Sequence, residues 1–167
     1  YSYKILLTSD SYFDLYSKRY GGKYDEKFII VPNAADINHF SPSPLPTEPV
    51  IGFIGGMTKG DGADLLLEAS RIVKSKIPDF RLQIATPPRR KYDVRGRPFF
   101  DYLVEKYSCN WINFCHDISY SSNAKDFFSS SFLTVIPRRK TKINDISTPS
   151  KLFDSMASGR PLIVTDC

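Results

Sequence analysis

Two stretches of this chain pair residue types that can hold an anion. The first is Val50-Ile51-Gly52-Phe53-Ile54-Gly55-Gly56-Met57-Thr58-Lys59-Gly60-Asp61-Gly62. A β-branched run enters a glycine-rich turn and leaves it into a helix opening near Asp61 or Gly62. Glycines such as Gly55 and Gly56 let backbone amides approach a ligand closely. The helix that follows aims its positively polarised amide end at the same place. Such a turn suits a diphosphate, with Lys59 close by, or it is a tight strand-to-helix connection that binds nothing. Gly52, Gly55 and Gly56 do not form the dinucleotide fingerprint Gly-x-Gly-x-x-Gly, and no Gly-Lys-Ser/Thr closes a P-loop.

The second stretch runs from Asp145 to Pro161. Thr148 is placed as an N-cap, Pro149 as the first helical residue and Gly159 as the stop. Ser150, Lys151 and Asp154 then share a face, while Leu152, Phe153, Met156 and Ala157 face a sheet. Free amides and Lys151 suit phosphate or sugar oxygens. A carboxylate at Asp154 can accept from two vicinal ribose hydroxyls. The plain alternative is a Lys151–Asp154 surface pair contributing only ~0.2–0.5 kcal/mol.

The elements that must position these residues follow from periodicity. Short β-branched runs read as buried strands: Lys4 to Thr8, Phe28 to Val31, Val50 to Gly56, Arg81 to Ala85, Trp111 to Cys115, Phe132 to Ile136 and Leu162 to Thr165. Between most of them lies helical spacing, at Leu66/Ala69/Val73/Ile77, Phe100/Leu103/Tyr107, Ala124/Phe127/Phe128 and along Leu152 to Ala157. Strands separated by helices imply parallel pairing with right-handed crossovers, and near-continuous apolar strands imply a sheet covered on both faces. The fold class is therefore α/β, a doubly wound Rossmann-like parallel sheet with helices on both faces. Ligands bind such a sheet beyond the carboxyl ends of its strands. Ser41-Pro42-Ser43-Pro44-Leu45-Pro46-Thr47 reads as a stiff, extended linker. It divides residues 1–46, the end of a preceding domain and a linker, from residues 47–167, the Rossmann-like domain. The first residue is Tyr1, and Cys167 directly follows a strand-like run, so the chain reads as a fragment cut at both ends.

Hydrophobic residues make up 41% and charged residues 25%, which excludes global disorder. No apolar run approaches the ~18 residues of a membrane helix. The net charge is +5, with basic clusters at Arg89-Arg90-Lys91, Arg95/Arg97 and Arg138-Arg139-Lys140-Lys142. These clusters suit anionic partners or simply form a solvated loop surface. Nucleic acid is disfavoured because the aromatics fall at core positions, not among the basic residues. Cys109, Cys115 and Cys167 lack metal-ligand spacing and read as buried free thiols of a reducing compartment. Trp111 reads as core, His39 as linker surface, and His116 as a packed or solvated strand-end residue. Neither histidine has a Ser or Cys partner placed for nucleophilic catalysis.

Taken together, these residues resemble the C-terminal half of GT-B-fold glycosyltransferases, in particular family 4 (group 1) retaining enzymes. Ile29-Ile30-Val31-Pro32-Asn33-Ala34-Ala35-Asp36, with Phe40 and Pro42, is similar to the family's inter-domain segment Val-Pro-Asn-Gly-Val-Asp...Phe-x-Pro. Residues 51–69 resemble its glycine-rich loop and first helix. The run from Pro149 to Pro161 is similar to its donor motif, Pro-x-Lys-x-x-Glu-x-Met-Ala-x-Gly-x-Pro. The resemblance implies a nucleotide-diphosphate sugar held by this domain at Gly55, Gly56, Lys59, Arg138, Arg139, Thr148, Pro149, Ser150, Lys151 and Asp154. The glycosyl group, of hexosyl type, passes with retention to an acceptor on an N-terminal domain, by front-face transfer without metal or other cofactor. The fragment alone is then inactive, and no residue is assigned as catalytic. The acceptor stays open among a polysaccharide, a lipid-linked glycan and a small molecule. The implied location is cytoplasmic, with peripheral contact at the inner face of the membrane.

The chain also departs from the family's pattern. Gly56 and Asp61 stand where the family carries Arg and Lys. Ile146, beside Asp145, stands at the first carboxylate of the donor motif, the shorter Asp154 at the second, and His116 at a glycine. Arg138, Arg139 and Lys140 are positioned in sequence to restore the missing positive charge, and Lys142 and Asp145 lie in a loop near the donor helix. The departures leave a second reading open, a degenerate relative that binds a nucleotide or partner without transferring sugar.

Overall fold

The computed structural model describes residues 3–86, 97–115, 118 and 123–166. Arg89, Arg90, Lys91, Arg95, His116 and Cys167 lie outside the described residues. In chain order the elements are β1 (Ile5–Leu7), α1 (Asp10–Tyr20), β2 (Phe28–Ile30), β3 (Val50–Ile54), α2 (Ala63–Lys76), β4 (Arg81–Ala85), α3 (Arg97–Tyr107), β5 (Ile112–Cys115), α4 (Ala124–Ser129), β6 (Leu133–Ile136), α5 (Ser150–Ala157) and β7 (Leu162–Val164). β1 and β2 form a small parallel pair. The other five strands form one parallel sheet in the order β5-β4-β3-β6-β7. All seven strands coincide with runs picked out by their β-branched content.

Two apolar layers cover the five-stranded sheet. On one side Leu66 and Leu67 of α2 and Leu103 and Tyr107 of α3 pack on Phe53, Leu82, Ile84 and Ile112, with Phe80. Trp111 leans on this layer at 5.8 Å from the Phe80 ring. The other cluster gathers Phe127 and Phe128 of α4, Ala85 and Phe40. Helices on both faces make the sheet doubly wound. At Gly52 the backbone of β3 runs so close to the α4–β6 corner that a β-carbon would lie 2.3 Å from Ser131 Oγ.

The helix α1 is absent from the periodicity reading. Its tyrosines hide a helical stripe, because Tyr12, Tyr16 and Tyr20 stack on one another at 6.3 Å spacings instead of entering a core. The signal that marks it is at its ends. Ser9 caps the start, accepting from the Tyr12 amide at 3.3 Å, and Gly21 ends it at φ 59°.

Three expectations need correction. Met156 is 62% exposed, and Asp154 and Ser155 are buried instead. The small Ser155 lets α5 approach β6 closely, and its Oγ meets Thr134 Oγ1 at 2.5 Å. Thr148 does not cap α5; Pro149 occupies the cap position with φ −71° and ψ 132°. The thiols are not buried, for Cys109 is exposed in the turn before β5 and Cys115 is half-buried at that strand's end.

The proline-rich stretch lies against the domain. Arg160, only 4% exposed, donates to Ser43 O, to Ser43 Oγ at 2.8 Å and to Pro44 O at 3.3 Å. It also donates to Ser131 O at 3.2 Å, so one guanidinium ties the stretch to the start of β6.

Candidate functional site

β3 and β6 are neighbours, yet the chain leaves them in opposite directions across the sheet. A crevice opens outside the carboxyl ends of two such strands. The glycine-rich turn follows β3, and the basic loop 137–149 follows β6.

The two segments are joined closely. Gly62, at φ 72°, sits so near the loop that a β-carbon there would lie 1.7 Å from Pro137 O. Arg139 N donates to Gly60 O at 3.0 Å. Asn144, 7% exposed, donates its side-chain amide to Gly60 O at 2.9 Å and to Arg139 O at 2.7 Å. It therefore bridges the two loops. Sequence reasoning missed Asn144, since a single buried amide has no periodicity and its partner Gly60 is 84 residues away.

The opening of α5 points into the same crevice. No side chain caps it, and within its first turn the Leu152 amide is engaged by Pro149 O at 3.1 Å. Asn33, from the segment after β2, donates to Thr148 O at 2.8 Å and fixes the chain's entry into the helix. One turn inside, Lys151 reaches across to the glycine turn. Its Nζ lies 2.3 Å from the place a β-carbon would take on Gly55, and 5.9 Å from the centre of the Phe53 ring. Burial lowers the Lys151 pKa, Asp61 opposes that, and Arg138 adds to the lowering. An ammonium in this setting gains from any anion placed beside it.

The remaining sequence-predicted residues divide. Arg138 stays at the crevice, donating to Ser147 O at 2.9 Å and to Ser147 Oγ at 3.0 Å. It lines a cleft of about 230 Å³ with Ser9, Asp145, Thr148, Pro149 and Leu152, closed by Ile136 and Val164 of β6 and β7 and not bordered by Gly55, Gly56 or Lys151. Ser9 Oγ closes one wall by donating to Ile146 O at 3.1 Å. Arg139 turns away and pairs with Asp64 of α2 at 2.9 Å. Lys59 is exposed and stands 5.7 Å over the Phe99 ring of α3. Ser150 is exposed at the head of α5. Asp154 is 7% exposed; burial raises its pKa and His39 opposes the rise. Gly55, Gly56, Lys151 and Arg138 thus come together with the opening of α5, while Lys59 and Arg139 are engaged on the α2–α3 side.

Asp61 also belongs to this constellation. Its Oδ2 lies 2.8 Å from the β-carbon position of Gly56 and accepts from Thr58 Oγ1 at 2.6 Å. Among the described residues no group of three His, Cys, Asp or Glu side chains gathers to hold a metal ion.

The sequence model of the family described as "Glycosyl transferases group 1" matches residues 48–167. No curated protein matches the chain. Among solved structures, Anabaena Alr3699/HepE in complex with UDP-glucose superposes with a TM-score of 0.72 at 12% identity, over 98% of this chain and 45% of that one. The pneumococcal O-GlcNAc transferase GtfA in complex with UDP and GlcNAc gives 0.63 at 12% identity, over 96% and 29%. The C-terminal domain of the glycosyl transferase group 1 family protein LpcC from Francisella tularensis gives 0.59 at 19% identity, over 78% and 70%. At these identities the likeness is one of fold. The chain spans 29% of the length of TarM, another structure it resembles.

Proposed function

The chain belongs to the glycosyl transferases group 1 family, and from that premise we propose that it binds the donor of a sugar transfer, a nucleotide-diphosphate sugar. The diphosphate lies in the crevice between the Gly55–Gly56 turn and the amide end of α5. Lys151 and Arg138 supply its positive charge, and the glycosyl group passes to an acceptor held by a separate domain. Transfer is of hexosyl type and proceeds with retention. The departing diphosphate is stabilised by fixed amides and cations already in place, which is where such groups help most. The observation that carries the reading is the position of Lys151: a cation from α5 sits directly on the glycine turn between β3 and α2.

The coverage of 29% to 45% of the larger neighbours supports placing the acceptor elsewhere. Among the described residues no helix is long and apolar enough to cross a membrane. The proposed location is cytoplasmic, with peripheral contact at the inner membrane face through the basic loops.

A second reading, a nucleotide binder without transferase activity, is favoured by one observation. Asp61 puts a carboxylate over Gly56 where a diphosphate site gains from a cation. Calorimetric titration with UDP-, GDP- and ADP-glucose tests the first step, binding. Affinity for one base, reduced in Lys151→Ala, is expected, and no heat from any of the three would end both readings. Donor hydrolysis then separates enzyme from binder.

A further inference from the structure

Gly55 and Gly56 are consecutive, and opposite charges cover them. Lys151 Nζ lies 2.3 Å from the β-carbon position of the first, and Asp61 Oδ2 lies 2.8 Å from that of the second. The carboxylate is held in place. Thr58 Oγ1 donates to it at 2.6 Å and accepts from the Asp61 amide at 3.1 Å, so a small hydrogen-bonded ring closes over Gly56. Asp61 is close enough to Lys151 to favour its charged form.

A phosphate bound to Lys151 and the amides of this turn meets that fixed carboxylate at short range. Repulsion between them grows with the charge on the phosphate. A phosphate esterified to a sugar carries less negative charge than the same phosphate set free. When the glycosyl carbon leaves, the electrons of its bond stay on the diphosphate oxygen. The acceptor's hydroxyl proton passes to solvent, and the diphosphate gains a negative charge.

We propose that Asp61 is a charge filter on the glycine turn, holding the free leaving diphosphate less well than the donor and so promoting its release. The inference rests on the donor-site reading above. Asp61 is here a specificity-determining residue, and it touches no reacting atom.

The test is calorimetric titration of inorganic pyrophosphate and of UDP-glucose into the wild-type protein and Asp61→Asn. Asn keeps an oxygen for Thr58 Oγ1, so the ring over Gly56 is retained. Asp61→Asn is expected to tighten pyrophosphate by about tenfold, the effect of removing one nearby like charge, and UDP-glucose by less. Thr58→Val, which unhooks the carboxylate, is expected to shift pyrophosphate in the same direction and serves if Asp61→Asn does not fold. Pyrophosphate affinity that is unchanged or weaker in these variants overturns the filter, and so does an equal gain for both ligands. If wild-type protein binds no nucleotide sugar, the donor reading falls and the filter falls with it, whereas donor binding with unchanged pyrophosphate affinity in Asp61→Asn overturns the filter alone.

Discussion

Gly62 and the carbonyl of Pro137 are in such close contact that a β-carbon on the glycine would lie 1.7 Å from that oxygen. The oxygen belongs to the backbone of the loop leaving β6, so it cannot swing aside as a side chain would. Gly62 also holds φ 72°. Gly62→Ala must therefore meet both left-handed backbone strain, about 1–2 kcal/mol, and a main-chain clash. A total loss of about 3 kcal/mol or more is expected, read by denaturant unfolding.

Gly55 predicts a different outcome from its neighbour. A β-carbon there meets the Nζ of Lys151, the far end of a flexible side chain. Gly55 holds φ 159°, which residues with a side chain rarely adopt, so Gly55→Ala is expected to cost about 1–3 kcal/mol of backbone strain while expelling the ammonium from the turn. Lys151→Ala removes the same group directly. Each charge-assisted bond to a phosphate is worth about 1.5–3 kcal/mol, so both variants should weaken nucleotide-sugar binding by about tenfold to a hundredfold. Calorimetry on the two variants checks this, and a weakened Lys151→Ala beside an unchanged Gly55→Ala would separate the two routes.

The depressed Lys151 pKa has a consequence for stability. In the unfolded chain the amine titrates at its ordinary value of 10.5, and in the folded protein burial lowers it. Below the folded value both states are protonated and the buried charge costs the native state. Between the folded value and 10.5 the unfolded chain binds the extra proton, so this group's contribution to stability rises with pH there. Lys151→Met removes the cost and is expected to raise stability at neutral pH by about 0.5–2 kcal/mol while weakening nucleotide-sugar binding as Lys151→Ala does. Thermal melts across alkaline pH check both signs.

Asn144 is expected to matter through the loops it joins. Asn144→Leu strips hydrogen bonds from Gly60 O and Arg139 O. Gly60 O keeps the Arg139 amide and Arg139 O loses the Asn144 amide, a loss of about 0.5–1.5 kcal/mol for each hydrogen bond removed. Hydrogen exchange at residues 58–62 should accelerate more than exchange in β4, and uniform acceleration would argue against a local bridge.

Much of this molecule is legible along the chain, and the exceptions share a cause. The strands stand out because Ile, Val and Phe cluster in short runs, and α2 because Leu66, Ala69 and Val73 keep helical spacing. The glycine turn and the run from Pro149 to Pro161 stand out by composition and spacing, and the fold brings them together at Lys151. What escaped is what depends on distant partners. Arg160 looks like a surface residue after a helix until Ser43, 117 positions earlier, is found beneath it. Arg138 and Arg139 are adjacent and chemically identical, yet one faces Ser147 and the other Asp64. Nothing in local spacing separates them. Hydrophobicity alone points Met156 inward, whereas the fit of Ser155 against Thr134 sets the rotation of α5.

The guanidinium of Arg160 has one more effect. By fastening Ser43 and Pro44 beside Ser131, it shortens the free length of backbone between β2 and the five-stranded sheet. Any swing of the β1–α1–β2 unit must then pivot upstream of Phe40, whose ring is wedged against Phe128 at 5.5 Å. The tether fixes the chain beyond residues 31–39, and within them the Asn33 bond to Thr148 supplies a second anchor.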